Sequence, residues 1–383
     1  VKNKRKIAII SGKRGGFGAM LPLMKAIDSS KNMELILIVT DQHLYKEFGK
    51  TVKEVERWFR VGYKLYLGQK DDRPVSRAIA IGKCVKKMAE TFEECKPDIL
   101  VVLGDRGEVL AGVISAINMK IPVAHIQGGD ISGCVDEFVR HAITKMSHLH
   151  FPSTETSAMR IKRMGEEEWR IHVVGDCHLD EIAMRNFTPP DKIAKKFNLN
   201  LKEPILLVLQ HPVTTEPEKS YEHMKEVCDA LRKLKLQTII VYPCSDYGYK
   251  GIIKAIEELR NESWVQIYKN IDCHDFWGLE NVASVFVGNS SAGLIETPFF
   301  KLPSVTIGKR QEGRERAENC IYSEPLKDDI YNAINYCLYN ETFKNIVKNC
   351  SQPFGDGTAW KKIIKVLSEV ELDSKLFEKR MTY

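Results

Sequence analysis

Several features that mark common protein classes are missing from this sequence. None of its ten cysteines forms a Cys-x-x-Cys pair or a zinc-type spacing, and they fall inside segments that read as strands and helices. Cys84, Cys228 and Cys337 therefore read as small buried residues in a reducing compartment, which excludes a disulfide framework. No apolar run approaches the ~18 residues expected of a membrane span. The opening VKNKRKIAII has a basic flank but reaches SGKRGGFG before any signal-length apolar segment develops, so a cytoplasmic location is expected. Charge of one sign is also scarce: 57 basic against 51 acidic residues leave only +6, spread along 383 positions. That balance argues weakly for an anionic ligand and against nucleic acid. No repeat or low-complexity tract occurs. With 43% apolar and 28% charged residues, the composition is that of a globular chain long enough for two full cores.

What is present is alternation. KIAIISG (6–12), ELILIVT (34–40), DILVVLG (98–104) and PVAHIQG (122–128) are nearly continuous apolar runs closing on glycine or a small polar residue. Such runs suit strands buried on both faces of a parallel sheet. LHFPS (149–153) and RIHVVG (170–175) extend the series, with amphipathic segments between. A polar connection with prolines at 189, 190 and 204 follows, containing one short helix. A second set then begins: ILLVLQH (205–211), QTIIVYP (237–243), VQIYK (265–269), ASVFVGN (283–289) and PSVTIG (303–308). The pattern predicts an α/β protein of two Rossmann-like domains facing a cleft. We expect one domain over 1–178 and a second over 179–364, with a last helix, 365–383, packing back on the first.

Ligands of parallel α/β sheets bind where strands end in loops, and the unusual polar clusters all fall there. SGKRGGFG (11–18) matches neither GxGxxG nor the P-loop pattern. It serves either as an anion-binding turn, with Arg14 adding charge, or simply as a tight turn. In LGDRGE (103–108), Asp105 is either a helix cap or a site residue. HIQGGDISGCVDEFVRHAITK (125–145) gathers acids and histidines around a paired glycine. Its helix carries an apolar stripe from Phe138 to Leu149, while Asp136/Arg140 and Glu137/His141 stand at i and i+4 on other faces. His148 and His150 at its far end read as structural. In the second half, QHPVTTE places His211 at a strand end. VGNSSAGLIE (287–296) offers hydroxyls and a turn before a helix, and GKRQEGRERAEN (308–319) offers three arginines suited to a diphosphate.

Taken in order, LGDR, HIxGG with DE..RHAITK, QHPVTT, GNSSAGLIE and GxRQxGRE resemble the UDP-N-acetylglucosamine 2-epimerase family, and more closely its hydrolysing branch, which serves sialic acid and related nonulosonic acid biosynthesis. The resemblance runs from the first strand to about residue 320. It implies a fold of the glycosyltransferase-B type, a UDP-sugar substrate, a homodimer or homotetramer, and neither metal nor nicotinamide cofactor. It implies elimination of the nucleotide to a glycal, followed by hydration with inversion at C2. Carried over residue by residue, it assigns Asp105 and Asp136 to acid–base catalysis. It assigns His211, Ser290, Ser291, Glu296 and Arg310 to the nucleotide, with Glu296 on the ribose hydroxyls, and Arg14 and Arg106 to the diphosphate. Two departures bear on the substrate. Gln127 stands where the family often has an acid and cannot exchange a proton, and Asp130 is placed to share that work. Gly15 and Gly16 replace a position that is commonly acidic, leaving room for a modified sugar such as a 2,4-diacetamido-trideoxy hexose. Two other classes share these features: a glycosyltransferase of the same fold, and a sugar-nucleotide-binding protein without catalysis.

Overall fold

The apolar runs form strands because different cores cover their two faces. In β1 (Arg5–Ser11), Ile7 and Ile9 enter one core with Phe17, Met20 and Leu23. Ala8 and Ile10 enter another with Met88, Phe92 and Val113. This computed structural model describes residues 4–69, 71, 73–132 and 135–383. The first sheet continues through β2 (Met33–Thr40), β3 (Tyr63–Leu65), β4 (Ile99–Leu103), β5 (Val123–Ile126) and β6 (Leu149–Phe151). Its strands are all parallel and lie in the order β3-β2-β1-β4-β5-β6. The second sheet contains β7 (Ile205–Leu209), β8 (Gln237–Val241), β9 (Val265–Tyr268), β10 (Val285–Gly288), β11 (Ser304–Ile307) and β12 (Cys320–Ser323). Its order, β12-β11-β10-β7-β8-β9, repeats the first when each is counted from its own first strand. Both are Rossmann sheets, and in each the order reverses once, between β1 and β4 and between β7 and β10. At that reversal successive connections leave for opposite faces, so the loops part at the strands' carboxyl ends and a ligand can enter.

The segment RIHVVG is a correction to the strand reading. Glu168–Arg170 is a single 3-10 turn, and Ile171 makes only an isolated bridge to His150. The segment still runs beside β6, its His172 and Val174 N–H groups donating to the His150 and Pro152 carbonyls at 2.9 and 3.1 Å, and Arg170 at its start turns to the tail. Its fully buried guanidinium donates to the carbonyls of Lys375 and Leu376, both at 2.8 Å, and so seats the C-terminal tail. The sequence reading missed β3 and β12. These are short edge strands with mixed burial, so neither shows a continuous apolar run.

The chain divides into one unit of Val1–Asp130, Val135–Met184 and Phe354–Tyr383, and a second of Ile131–Cys134 and Arg185–Pro353. The crossings therefore fall at 184/185 and 353/354, not at 178/179 and 364/365. The return is early because the Asp176 N–H donates to the Phe354 carbonyl at 2.7 Å. The Asp180 carboxylate then accepts the N–H groups of Ala359 and Trp360, at 2.8 and 2.9 Å. These bonds fasten the start of the helix Ala359–Glu369, whose Ile363 and Leu367 complete the core around Ile7 and Ile9.

Burial raises Asp180 from its ordinary 3.8 to about 7, against the pull of those two N–H donors. In the unfolded chain this group ionises first as pH rises. Its contribution to stability is thus full below about pH 4 and is lost progressively up to about pH 7. In urea melts, wild type should lose on the order of a few kcal/mol relative to Asp180→Asn across that window and none above it. A pH-independent difference would contradict the assignment.

Candidate active site

Each candidate cluster sits at the carboxyl end of a strand. After β1, Gly12 is required by a close approach: a Cβ there would lie 2.3 Å from Glu108 Oε1. Arg14 opens the helix Arg14–Asp28 and is half-buried, while a Cβ on Gly15 would meet nothing within 4 Å. After β4, Gly104 at φ 78° turns the chain into Asp105. His125 on β5 holds that turn, its Nε2 donating to the Gly104 carbonyl at 2.7 Å. Burial lowers this ring to about 3, so it is neutral, and Thr144 Oγ1 donates to its Nδ1 at 3.2 Å.

Asp105 does not cap the following helix, Gly107–Asn118, whose cap residue is Arg106 with no side-chain cap bond. It pairs instead with Arg140, four residues into the helix Asp136–Met146. Burial opposes the Arg140 charge. Asp105 first, then Asp130 and Asp136, more than restore it, and the guanidinium is held above its ordinary range. Three of the four expected acid–base residues thus surround one buried cation. Asp130 also accepts a hydrogen bond from Ser157 Oγ at 2.7 Å. The fourth, Gln127, takes a left-handed φ of 63° and donates its amide to Asp176 at 2.7 Å.

Arg106 occupies a different setting from the expected diphosphate contact. It is buried and pairs with Asp41 at 3.0 Å and Glu108 at 3.2 Å. Arg77 joins the same two carboxylates at 3.2 and 2.8 Å. Burial and Glu108 raise Asp41, whereas in Glu108 the two guanidiniums outweigh burial and hold the carboxyl below its ordinary range. Arg106 is therefore committed to supporting the loops after β2 and β4. His150 is buried with Nε2 3.0 Å from Glu166, and His148 accepts the Val123 N–H at 3.1 Å, so both are structural.

Sequence reasoning missed Asp176 and His178, which lie beyond the segment misread as a strand. Asp176 is fully buried and accepts from Gln127, Ser153 Oγ at 3.0 Å, and the backbone and ring nitrogens of His178. The pattern Gly-Asp-x-His, which joins an acid to a histidine two residues on, was the available signal.

In the second unit, an amide ties the two strands at the reversal. The His211 N–H donates to Asn289 Oδ1 at 2.7 Å, and Asn289 Nδ2 donates to the His211 carbonyl at 2.9 Å. His211 Nδ1 accepts the Cys244 N–H at 3.1 Å, which puts the ring hydrogen on Nε2. Gly288 has φ 139°, and a Cβ there would lie 2.2 Å from the Leu209 carbonyl, so β7 and β10 meet this closely only with glycine. Arg310 and Gln311 both donate to the Asn289 carbonyl at 3.0 Å, bringing the arginine loop beside Ser290. Ser290 is buried, and Ser291 precedes a helix of only four residues, Ala292–Ile295. Glu296 accepts the Trp277 indole N–H at 2.8 Å. Burial, and then the adjacent Glu296, push the buried Glu280 well above the ordinary carboxylate range.

A sequence model described as UDP-N-acetylglucosamine 2-epimerase matches residues 25–368. The chain is similar to the UDP-N,N'-diacetylbacillosamine 2-epimerase (hydrolyzing) of Legionella pneumophila, at 35% identity over 99% of this chain and 100% of that protein. It is 33% identical to the GDP/UDP-N,N'-diacetylbacillosamine 2-epimerase (hydrolyzing) of Campylobacter jejuni, covering 84% of this chain and 85% of that one. The solved UDP-GlcNAc 2-epimerase of Neisseria meningitidis, bound to UDP-GlcNAc, matches with a TM-score of 0.82 at 17% identity, over 95% of this chain and all of that one. That likeness establishes the glycosyltransferase-B type of fold.

Arg140→Met leaves three carboxylates beside an apolar side chain and should destabilise the protein by roughly 3–5 kcal/mol. Adding Asp105→Asn should recover much of the loss, because the interaction lies between those two residues. Additive losses in urea melts would show that they are not coupled.

Proposed function

This chain belongs to the UDP-N-acetylglucosamine 2-epimerase family, and from that premise we propose that it is a hydrolysing 2-epimerase of a UDP-activated 2-acetamido sugar. The observation that carries this reading is the buried Arg140, which pairs with Asp105 and lies in the electrostatic field of Asp130 and Asp136. Carboxylates gathered at strand ends are suited to act as bases toward carbon.

In the proposed reaction a carboxylate, Asp105 or Asp136, takes the C2 proton. The C2–H electron pair becomes the C1=C2 bond, and UDP leaves with the C1–O pair. Water then adds its hydroxyl at C1, and a proton returns to C2 on the opposite face, giving a free manno-configured sugar. Asp130 lies in the same charge cluster and shares the acid–base work. In the second unit Arg310, Ser290, Ser291 and His211 bind the diphosphate and Glu296 the ribose hydroxyls, while Arg14 contributes from the first. Arg106 acts through Asp41 and Glu108 as a positioning residue.

The preferred sugar is a 2,4-diacetamido-trideoxy hexose. Two relatives at 35% and 33% identity are named for that chemistry, and Gly15 adds no side chain to the first loop. The product then enters nonulosonic acid synthesis.

Incubation with the UDP-diacetamido sugar and with UDP-N-acetylglucosamine in D₂O should release UDP and a free sugar carrying deuterium at C2, read by NMR. A retained C2 proton, UDP release only with an added acceptor, or binding without turnover would overturn the reading. Arg310→Ala should weaken UDP binding about tenfold or more, since it removes a charge-assisted contact. Asp105→Asn should leave UDP binding nearly intact while turnover falls ~10²–10⁴-fold. Activity should also survive dialysis against a chelator without added NAD.

A further inference from the structure

We propose that Asp176 and His178 form a carboxylate–imidazole dyad that activates the water added at C1, replacing the acid that residue 127 does not supply. The proposal rests on the epimerase reading above and assigns a residue pair to its second step.

The dyad is built from the contacts of Asp176. Asp176 receives four donors: Gln127 Nε2 at 2.7 Å, Ser153 Oγ at 3.0 Å, the His178 N–H at 2.9 Å and His178 Nδ1 at 2.8 Å. Burial works against its charge, but His178 and the other donors outweigh it and hold the carboxyl at about 2. Gln127 Nε2 also lies 3.2 Å from His178 Nδ1, and in the proposed dyad Nδ1 carries the ring hydrogen toward Asp176, leaving Nε2 as the base. The carboxylate is fully buried while the His178 side chain keeps 15% of its exposure. The ring therefore joins a buried charge to accessible space, the arrangement by which a carboxylate orients and supports an imidazole base.

Gln127 and Asp176 also exclude an alternative. A glutamate at 127 would bring a second carboxylate to within hydrogen-bond distance of Asp176, and the two could not both ionise. The amide donates where an acid would repel. In this chain the end of β5 carries the amide, and the carboxylate stands at the turn before the helix His178–Ala183. In hydration, neutral Nε2 accepts a proton from water as the water oxygen bonds to C1. The imidazolium is paired with Asp176 and afterwards returns its proton to solvent, while the carboxylate set around Arg140 handles C2. Asp180, in the field of Asp176, titrates near neutrality. It is retained in a His178 variant, which separates its effect from that of the ring.

The test uses full-length His178→Gln and Asp176→Asn, with folding verified by circular dichroism. His178→Gln should still release UDP but lower formation of the hydrated sugar ~10²-fold or more. The glycal should accumulate in the NMR spectrum, and the acid limb of the kcat profile should disappear. Asp176→Asn should move that limb to lower pH by about a unit or more, because the imidazole loses its counter-charge. If Asp176→Asn does not fold, ¹⁵N NMR of His178 in wild type should show hydrogen on Nδ1 at high pH, and the opposite tautomer would overturn the dyad. Wild-type rates and an unchanged limb in His178→Gln, or loss of UDP release together with hydration, would also overturn it. If wild type itself turns over no UDP-2-acetamido sugar, the epimerase reading fails and the dyad's step with it. That result is distinct from an active wild type beside an unaffected His178 variant.

Discussion

A guanidinium out of contact with water must be neutralised by its neighbours, and the first unit's site is arranged around that requirement at Arg140. The cation is buried, so Asp105 from the end of β4, Asp130 from the loop after β5 and Asp136 from the start of the next helix are held near it. Breaking a buried pair costs far more than forming a surface one yields. The cluster is consequently held in place at the ends of β4 and β5. His125 adds to that hold. As a neutral ring between the Gly104 carbonyl and Thr144, it fixes the turn that presents Asp105.

The same rule of compensated burial governs two neighbouring sets. Asp41 and Glu108 share Arg77 and Arg106, which joins the loop after β2 to the helix after β4. Gly12 is small because Glu108 lies against it. Asp176 is matched by donors alone, among them the amide of Gln127 and the ring of His178. These sets differ in what they leave accessible. The four-membered salt-bridge network satisfies itself, whereas the Asp176 set ends in an imidazole nitrogen that can exchange a proton.

The second unit uses neutral groups at its reversal. Asn289 bridges β7 and β10 through both ends of its amide, and its carbonyl gathers Arg310 and Gln311. Arg310 adds a cation to this arrangement, and Arg314 stands on the same loop with its guanidinium on Gln311. Fixed dipoles beside cations suit a ligand that brings its own negative charge.

Much of the architecture was legible in the sequence. Continuous apolar runs closing on glycine gave ten of the twelve strands, because a strand covered on both faces has no polar side to interrupt the run. The edge strands β3 and β12 have mixed burial and so lack the pattern, and RIHVVG has the pattern and runs beside β6 through two backbone bonds and one bridge without becoming a regular strand. Strand-end position likewise singled out Asp105, Asp130, Asp136, His211 and Arg310, which follow β4, β5, β7 and β11, because the loops at the carboxyl ends of parallel strands gather on one edge of each sheet. Partner choice was not legible. That Asp105 meets Arg140 and not a helix cap, that Arg106 turns to Asp41 and Glu108, and that Gln127 faces Asp176 across 49 positions of sequence depend on which buried charges come within reach after packing. The order of residues determined where polar groups could gather, and only the tertiary structure decided which of them neutralise one another, because electrostatic pairing acts through distance in space and not along the chain.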